Sequence, residues 1–320
     1  MKPEEFAATV ESVRKEIGKV IVGQADLVET VLLTVLCEGH VLLEGVPGLG
    51  KTRLLQTLGQ VLDVAFGRVQ FTPDLMPADI LGTNILQEGR FEFHRGPLFA
   101  NLVLADEVNR ATPKTQSALL EAMQERHVTL GRETHDLPRP FFVMATQNPI
   151  EMEGTYPLPE AQLDRFLFKA LVPFPSTDEM VEILNRTTTQ EEPEVSRVVD
   201  GRALVAMGEM VREVPAASHV LEYAATLVAA THPGNDAAPE LVKRYVRFGA
   251  SPRGAQAMVL GGKATALRAG RPNLAREDVR AIAPAALRHR LVLGYEAAAD
   301  GIAADDLVGS ILEAHPGTKT

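Results

Sequence analysis

Eight residues, Gly45-Val46-Pro47-Gly48-Leu49-Gly50-Lys51-Thr52, restrict this chain more than any other feature. A glycine, four residues, a second glycine, lysine and threonine make the pattern of a phosphate-binding loop. The glycines let the backbone curl so that successive N–H groups point inward at phosphate oxygens. A helix beginning near Lys51 adds the positive end of its dipole. Lys51 would reach the β- and γ-phosphates, and the Thr52 hydroxyl would coordinate Mg²⁺. Such a loop needs a strand before it and a helix after it. His40-Val41-Leu42-Leu43-Glu44 supplies the strand, and Leu54, Leu55, Leu58, Val61 and Leu62 follow at helical spacing. A surface glycine turn that happened to end in Lys-Thr would lack that setting.

The loop predicts the architecture around it. Val69-Gln70-Phe71, Leu102-Val103-Leu104-Ala105, Phe141 to Ala145 and Phe168 to Val172 read as further strands. The near-continuous apolar character of the last three suits a parallel sheet covered on both faces. Strands alternating with helices imply a doubly wound α/β core. Two segments break the alternation: Thr83–Leu86 with Phe91–His94, and His127–Leu130 with Thr134–Leu137, each pair flanking a short polar turn, read as inserted β-hairpins. Ser176-Thr177-Asp178-Glu179 opens a helix through Asn185 with a capping box. Thr187 to Glu194 reads as a polar linker, and from Asp200 onward helical patterns rich in alanine and leucine dominate, with no convincing strand. The expected domains are 1–185, an αβα nucleotide-binding core with two hairpins, and 195–320, an all-α second domain.

A phosphate loop requires an acid at the end of a buried strand. Asp106 and Glu107 end the run Leu102-Val103-Leu104-Ala105. Asp106 would hold Mg²⁺ through its water shell, and Glu107 could polarise the attacking water, which favours hydrolysis over nucleotide storage. Asn148 follows the strand ending at Ala145; it suits either a neutral amide touching the γ-phosphate or an Asn-Pro turn. Charge on transferring phosphoryl oxygens is stabilised by a guanidinium, which a neighbouring subunit can supply. Arg165, before the last strand, and Arg253, opening a helix of the second domain, are candidates for such work, although either arginine taken alone reads more readily as an ordinary surface ion-pair residue.

Composition sets the outer limits. Lysine and arginine number 32 against 42 aspartates and glutamates, a net charge of −10, and aromatics are 5%. That balance argues against broad capture of nucleic acid or an anionic membrane. The single cysteine, Cys37, excludes an internal disulfide and reads as a core residue. Two acids in Met1-Lys2-Pro3-Glu4-Glu5 do not suit a secretory signal, and the run Val31–Cys37 is far short of a membrane span. A cytoplasmic protein without membrane insertion is expected. Eight histidines show no ligand spacing, and His94, His127 and His135 read as solvated hairpin positions.

Taken together these residues resemble the AAA+ ATPases, and within them the MoxR family. Beyond the loop and the acids, the resemblance rests on several separated stretches: Ile21-Val22-Gly23-Gln24, Phe71 to Asp79, Gly96 to Ala100, Val108-Asn109-Arg110-Ala111, Gln116 to Met123, and Glu153 to Ala161. It implies a parallel sheet of strand order 5-1-4-3-2, a helical lid, and hairpins equivalent to the helix-2 insert and the pre-sensor-1 hairpin. It also implies ATP and Mg²⁺ as cofactors. Carried over residue by residue, Lys51 and Thr52 match Walker A, Asp106 and Glu107 Walker B, and Asn148 sensor 1. Arg165 matches an arginine finger acting on the neighbour's nucleotide, Arg253 sensor 2, and Arg110 an arginine near the subunit interface. Ile21 and Val22 match part of the adenine pocket, with Gly45, Pro47, Gly48, Leu49, Gly50 and Arg53 completing the nucleotide contacts. The family resemblance further implies a homo-oligomeric, hexameric ring and chaperone-like remodelling or maturation of a separate protein client, or of a von Willebrand factor A-domain protein. Three alternatives remain at this point: a nucleic-acid-acting motor, a chelatase-type ATPase, and a module that binds nucleotide without needing to hydrolyse it.

Overall fold

The computed structural model describes every residue except 47, 88–89, 132, 149–153, 189–192 and 318–320. The chain divides into two compact units, 9–158 with 170–206, and 1–8 with 159–169 and 207–320.

The first unit is built on strands β1 (Val41–Glu44), β2 (Phe66–Gln70), β3 (Gly82–Gln87), β4 (Arg90–Arg95), β5 (Leu102–Asp106), β6 (His127–Leu130), β7 (Glu133–Asp136), β8 (Phe142–Gln147) and β9 (Phe168–Leu171), the last running across the division. Five of them form one sheet in the order β2-β5-β8-β1-β9. Counted among core strands alone, this is the expected 5-1-4-3-2. The pairs β1–β8, β5–β8 and β2–β5 are parallel, which crossover connections between strands make possible. Leu102, Val103, Leu104 and Ala105 are wholly buried. This is why β5 carries no alternation of apolar and polar residues: both of its faces are covered. The helix Lys51–Val61 buries Leu54, Leu55, Leu58 and Val61 along one stripe. Each such side chain contributes about 1.5–3 kcal/mol relative to exposure. Its start is therefore fixed to the sheet on which the loop rests.

β2 starts at Phe66, three residues before the expected Val69. Gly67 and Arg68 carry no strand signal of their own; the ladder to β5, from Phe66 opposite Leu102 to Gln70 opposite Asp106, puts them there. The helix Thr177–Thr187 begins as expected, with the Ser176 side chain accepting from the Glu179 N–H and the Glu179 carboxylate accepting from the Ser176 N–H.

Both hairpins are present, β3 with β4 and β6 with β7, each antiparallel. They touch each other. The Phe93 ring of β4 stacks on the His135 ring of β7 with centroids 4.0 Å apart and planes 20° from parallel. His135 is thus a packed residue, contrary to the solvated position expected of it, because an aromatic face from the other hairpin covers it.

The second unit consists mainly of helices, among them Ser218–Ala229, Pro252–Arg268, Arg276–Leu287 and Ala304–Ala314. It also holds a short antiparallel ribbon, β10 (Val246–Phe248) with β11 (Val292–Leu293). Strands of three and two residues, separated by more than forty in sequence, leave no period for a sequence reading to find. Among the described residues no helix is long and apolar enough to cross a membrane.

Candidate functional site

The phosphate loop leaves the C-terminal end of β1 and enters the helix at Lys51. Gly48 and Gly50 have φ of +85° and +74°, and a Cβ on either would meet nothing within 4 Å. Glycine is needed there for conformation, since a left-handed backbone costs other residues about 1–2 kcal/mol. At Gly45 the reason is space: a Cβ would lie 2.7 Å from Val172 Cβ and 3.1 Å from the Val172 carbonyl oxygen. Pro47 lies outside the described residues. Lys51 Nζ donates to the Gly45 carbonyl oxygen at 2.7 Å, closing the loop on itself. Burial pulls the Lys51 ammonium below its ordinary pKa, and the charges of Asp106 and Glu107 pull it back up. Those two acids are therefore electrostatically close to the lysine.

Asp106 ends β5 and Glu107 follows it in the left-handed region at φ +56°. A glutamate in that conformation is strained, and strain of this kind persists only where neighbours hold it. The holders are visible. The Glu107 N–H donates to Thr146 Oγ1 at 2.8 Å, and that hydroxyl donates to Asp106 Oδ1 at 2.7 Å. Arg68 Nη2 donates to Asp106 Oδ2 at 2.8 Å. Glu107 Oε2 accepts from Gln70 Nε2 at 2.7 Å and from Arg110 Nη1 at 3.0 Å. Arg110 thus acquires a defined contact within this unit, on the side chain of Glu107.

Thr146, Gln70 and Arg68 carried no motif signal. Register explains all three: Gln70 stands opposite Asp106, Thr146 follows the Ala145 that stands opposite Ala105, and Arg68, opposite Leu104, lies two residues before Gln70 and so on the same face. Asn148, one residue beyond β8, is buried. Among the described residues no group of three or more His, Cys, Asp and Glu is placed to hold a metal ion. A divalent cation at Thr52 and Asp106 fits only as magnesium usually binds, with one carboxylate and the remaining positions filled by phosphate and water oxygens.

Ile21 and Val22 are half-buried in the turn between the helices Pro3–Val20 and Ala25–Leu36. The next residues tie that turn to the loop, since Gln24 Nε2 donates to the Leu49 carbonyl oxygen at 3.1 Å. Arg53 is exposed and lines a cavity with Val20, Gln56, Gln60 and Phe66.

Arg165 and Arg253 belong to the other unit. Arg165 is exposed on the turn between the helix Glu160–Leu163 and β9. Arg253 is the second residue of the helix Pro252–Arg268, whose N-cap Ser251 accepts from the Arg253 N–H at 3.1 Å. Arg253 Nη1 lies 3.7 Å from Oδ2 of Asp164, the residue that precedes Arg165 in sequence.

A family model described as the ATPase family associated with various cellular activities (AAA) matches residues 40–168, and an AAA lid domain model matches residues 238–311. Chaperone MoxR1 of Mycobacterium tuberculosis is 46% identical over 307 residues, spanning 95% of this chain and 81% of that protein. Protein MoxR of Paracoccus denitrificans is 32% identical over 310 residues, spanning 87% of this chain and 86% of that one. A crystal structure from Cytophaga hutchinsonii, of a protein classed as an ATPase, superposes with a TM-score of 0.93 at 40% identity, covering 99% of this chain and 97% of its own.

Proposed function

The chain belongs to the MoxR family of AAA+ ATPases, and from that membership we propose that it binds ATP with Mg²⁺ at residues 45–52 and hydrolyses it. We further propose that it does so in a homo-oligomeric ring, using the cycle for chaperone-like remodelling or maturation of a separate protein client. The name of the mycobacterial relative supports the chaperone role. In this reading residues 1–185 are the nucleotide-binding core and 195–320 the lid.

The observation that carries the hydrolytic reading is the treatment of Glu107. A glutamate kept in a strained left-handed conformation, with Gln70 and Arg110 on one carboxylate oxygen and Thr146 on its backbone, is a residue held for a task. That hold on the carboxylate and backbone suits an acid that orients water better than it suits storage of nucleotide. Lys51, whose amine now rests on the Gly45 carbonyl oxygen, would exchange it for phosphate oxygens, opening the loop as it does so. Mg²⁺ would be held by Thr52 and Asp106, and when bound would neutralise charge on the transferring phosphoryl oxygens. The Glu107 carboxylate, with Oε2 held by Gln70 and Arg110, would accept the hydrogen of the attacking water and orient it. Asn148, buried at the end of β8, would hold the neighbouring polar position without adding charge. Ile21 and Val22 would flank the adenine. Arg253 would read the subunit's own nucleotide and Arg165 the neighbour's.

Glu107→Gln tests this. ATP affinity by calorimetry should stay within about twofold while turnover falls by ~10² or more, the usual worth of a positioned base. The trapped variant should then retain a client that wild type releases. Wild-type turnover in a folded Glu107→Gln protein would refute the assignment.

A further inference from the structure

Asp164 precedes Arg165 in the chain and is buried more deeply than its exposed neighbour. Its two carboxylate oxygens have different partners. Oδ1 accepts from Arg290 Nε at 2.8 Å, and Oδ2 accepts from Ser251 Oγ at 2.8 Å, with Arg253 Nη1 3.7 Å away. The Arg290 side chain is 3% exposed and grips the same turn by its backbone: its guanidinium donates to the carbonyl oxygens of Asp164, Phe166 and Leu167 at 3.2, 2.7 and 3.1 Å. His289 Nε2 lies 3.1 Å from the Phe166 carbonyl oxygen. The carbonyls of Asp164, Phe166 and Leu167, on either side of Arg165, are thus held from the segment 289–290.

The Ser251 bond has a different character. Ser251 caps the helix that Arg253 opens, so the carboxylate beside Arg165 is bonded to the first turn of the Arg253 helix. The Arg253 pair itself is long and half-exposed on the arginine side, the kind of ion pair that contributes little to stability. It can be given up at small cost. Asp164 and Ser251 also border a cavity of about 470 Å³, so the carboxylate is not sealed in packed core.

We propose that Asp164 is a positioning residue that joins Arg253 to Arg165, so that the arginine reading a subunit's own nucleotide sets how the next arginine is offered to the neighbour. The inference rests on the roles given to those two arginines above. With Arg253 on Asp164, the carboxylate is shared among Arg290, Ser251 and Arg253. When Arg253 turns to phosphate, Asp164 is left to Arg290 and Ser251, and the charge balance next to Arg165 changes within the same rigid turn. Arg290 serves as the fixed side of the device and Arg253 as its movable side.

The test uses the full chain with Asp164→Glu, which keeps the charge for buried Arg290 and displaces the carboxylate by one methylene. Misplacement on that scale is expected to lower kcat about tenfold, with the KM for ATP within about twofold and an unchanged melting temperature. The same substitution on an Arg165→Ala background, followed by single-turnover release of labelled phosphate, should cost nothing further. A residue that acts through Arg165 has nothing to position once Arg165 is gone. Should Asp164→Glu not fold, the double variant Asp164→Asn/Arg290→Gln replaces it, removing both charges together while leaving hydrogen-bonding groups. An unchanged kcat in the folded variant overturns the proposal. So does an equal loss on both backgrounds, which marks a role independent of Arg165, and so does an Arg165→Ala variant as active as wild type. Absence of turnover in the wild type defeats the hydrolytic reading itself and this inference with it.

Discussion

Acidification should loosen the sheet through one buried histidine. His40 stands just before β1, and only 6% of it is exposed. The Val143 N–H donates to its Nδ1 at 3.0 Å, so the ring proton sits on Nε2, 3.0 Å from the Met123 carbonyl oxygen that accepts it. A second ring proton would have to point at the Val143 N–H. Burial lowers the His40 pKa from 6.5 to about 4, and the Arg126 charge adds to the fall against the opposing pull of the Met123 carbonyl. The folded state therefore refuses a proton that the unfolded chain accepts. This contribution is complete above pH 6.5 and is lost as the pH drops toward 4, because in that window the unfolded state binds more protons. At 1.36 kcal/mol per pH unit the loss comes to about 3 kcal/mol, a large share of a stability of roughly 5–15 kcal/mol. Urea unfolding of wild type and His40→Ala at a series of pH values isolates the effect, because other groups titrate alike in both. The variant should be less stable at pH 7.5, having left the Val143 N–H and Met123 carbonyl unpaired. The gap should then narrow by about 3 kcal/mol by pH 4. A gap that stays constant, or a His40 resonance titrating near 6.5 by NMR, would refute the reasoning.

Two glycines of the phosphate loop should fail in different ways. Gly45→Ala forces a Cβ against Val172 and should destabilise the protein by about 1–3 kcal/mol, read as a lower melting temperature. Gly48→Ala meets no atom within 4 Å but strains a φ of +85°, so ATP affinity should weaken about tenfold, for about 1–2 kcal/mol of strain, with little change in melting. Equal behaviour of the two would contradict the separate reasons given for them. Gln70→Ala removes one of two donors on Glu107 Oε2 and should lower kcat about tenfold by freeing the carboxylate while leaving the KM for ATP unchanged; an altered KM with normal kcat would move Gln70 from the hydrolytic step to nucleotide binding.

The sequence reading went furthest where chemistry and local geometry coincide. A phosphate loop must have its glycines, lysine and hydroxyl in consecutive order, so Gly45 to Thr52 can be read without knowing what surrounds them. Asp106 and Glu107 are nearly as legible, because the buried strand that presents them announces itself as an apolar run. What stayed hidden is set by distance along the chain. Thr146 is 40 residues from the Asp106 it bonds, and Gln70 is 37 from Glu107. Only the register of a parallel sheet brings them together, and register is a property of the whole ladder. Arg290 is 126 residues from Asp164, and its role depends on being buried. In sequence it is one arginine among many, and nothing local distinguishes a guanidinium that clamps a turn from one that solvates a helix. Even β2 began early, because its pairing with β5 outweighed the weak strand tendency of Gly67. The residues proposed to act on nucleotide are therefore written in motifs, whereas those that hold them in place are written in the fold. A search for further positioning residues in such a chain should start from partners of the motif acids across the sheet and from buried cations, and only then return to the sequence.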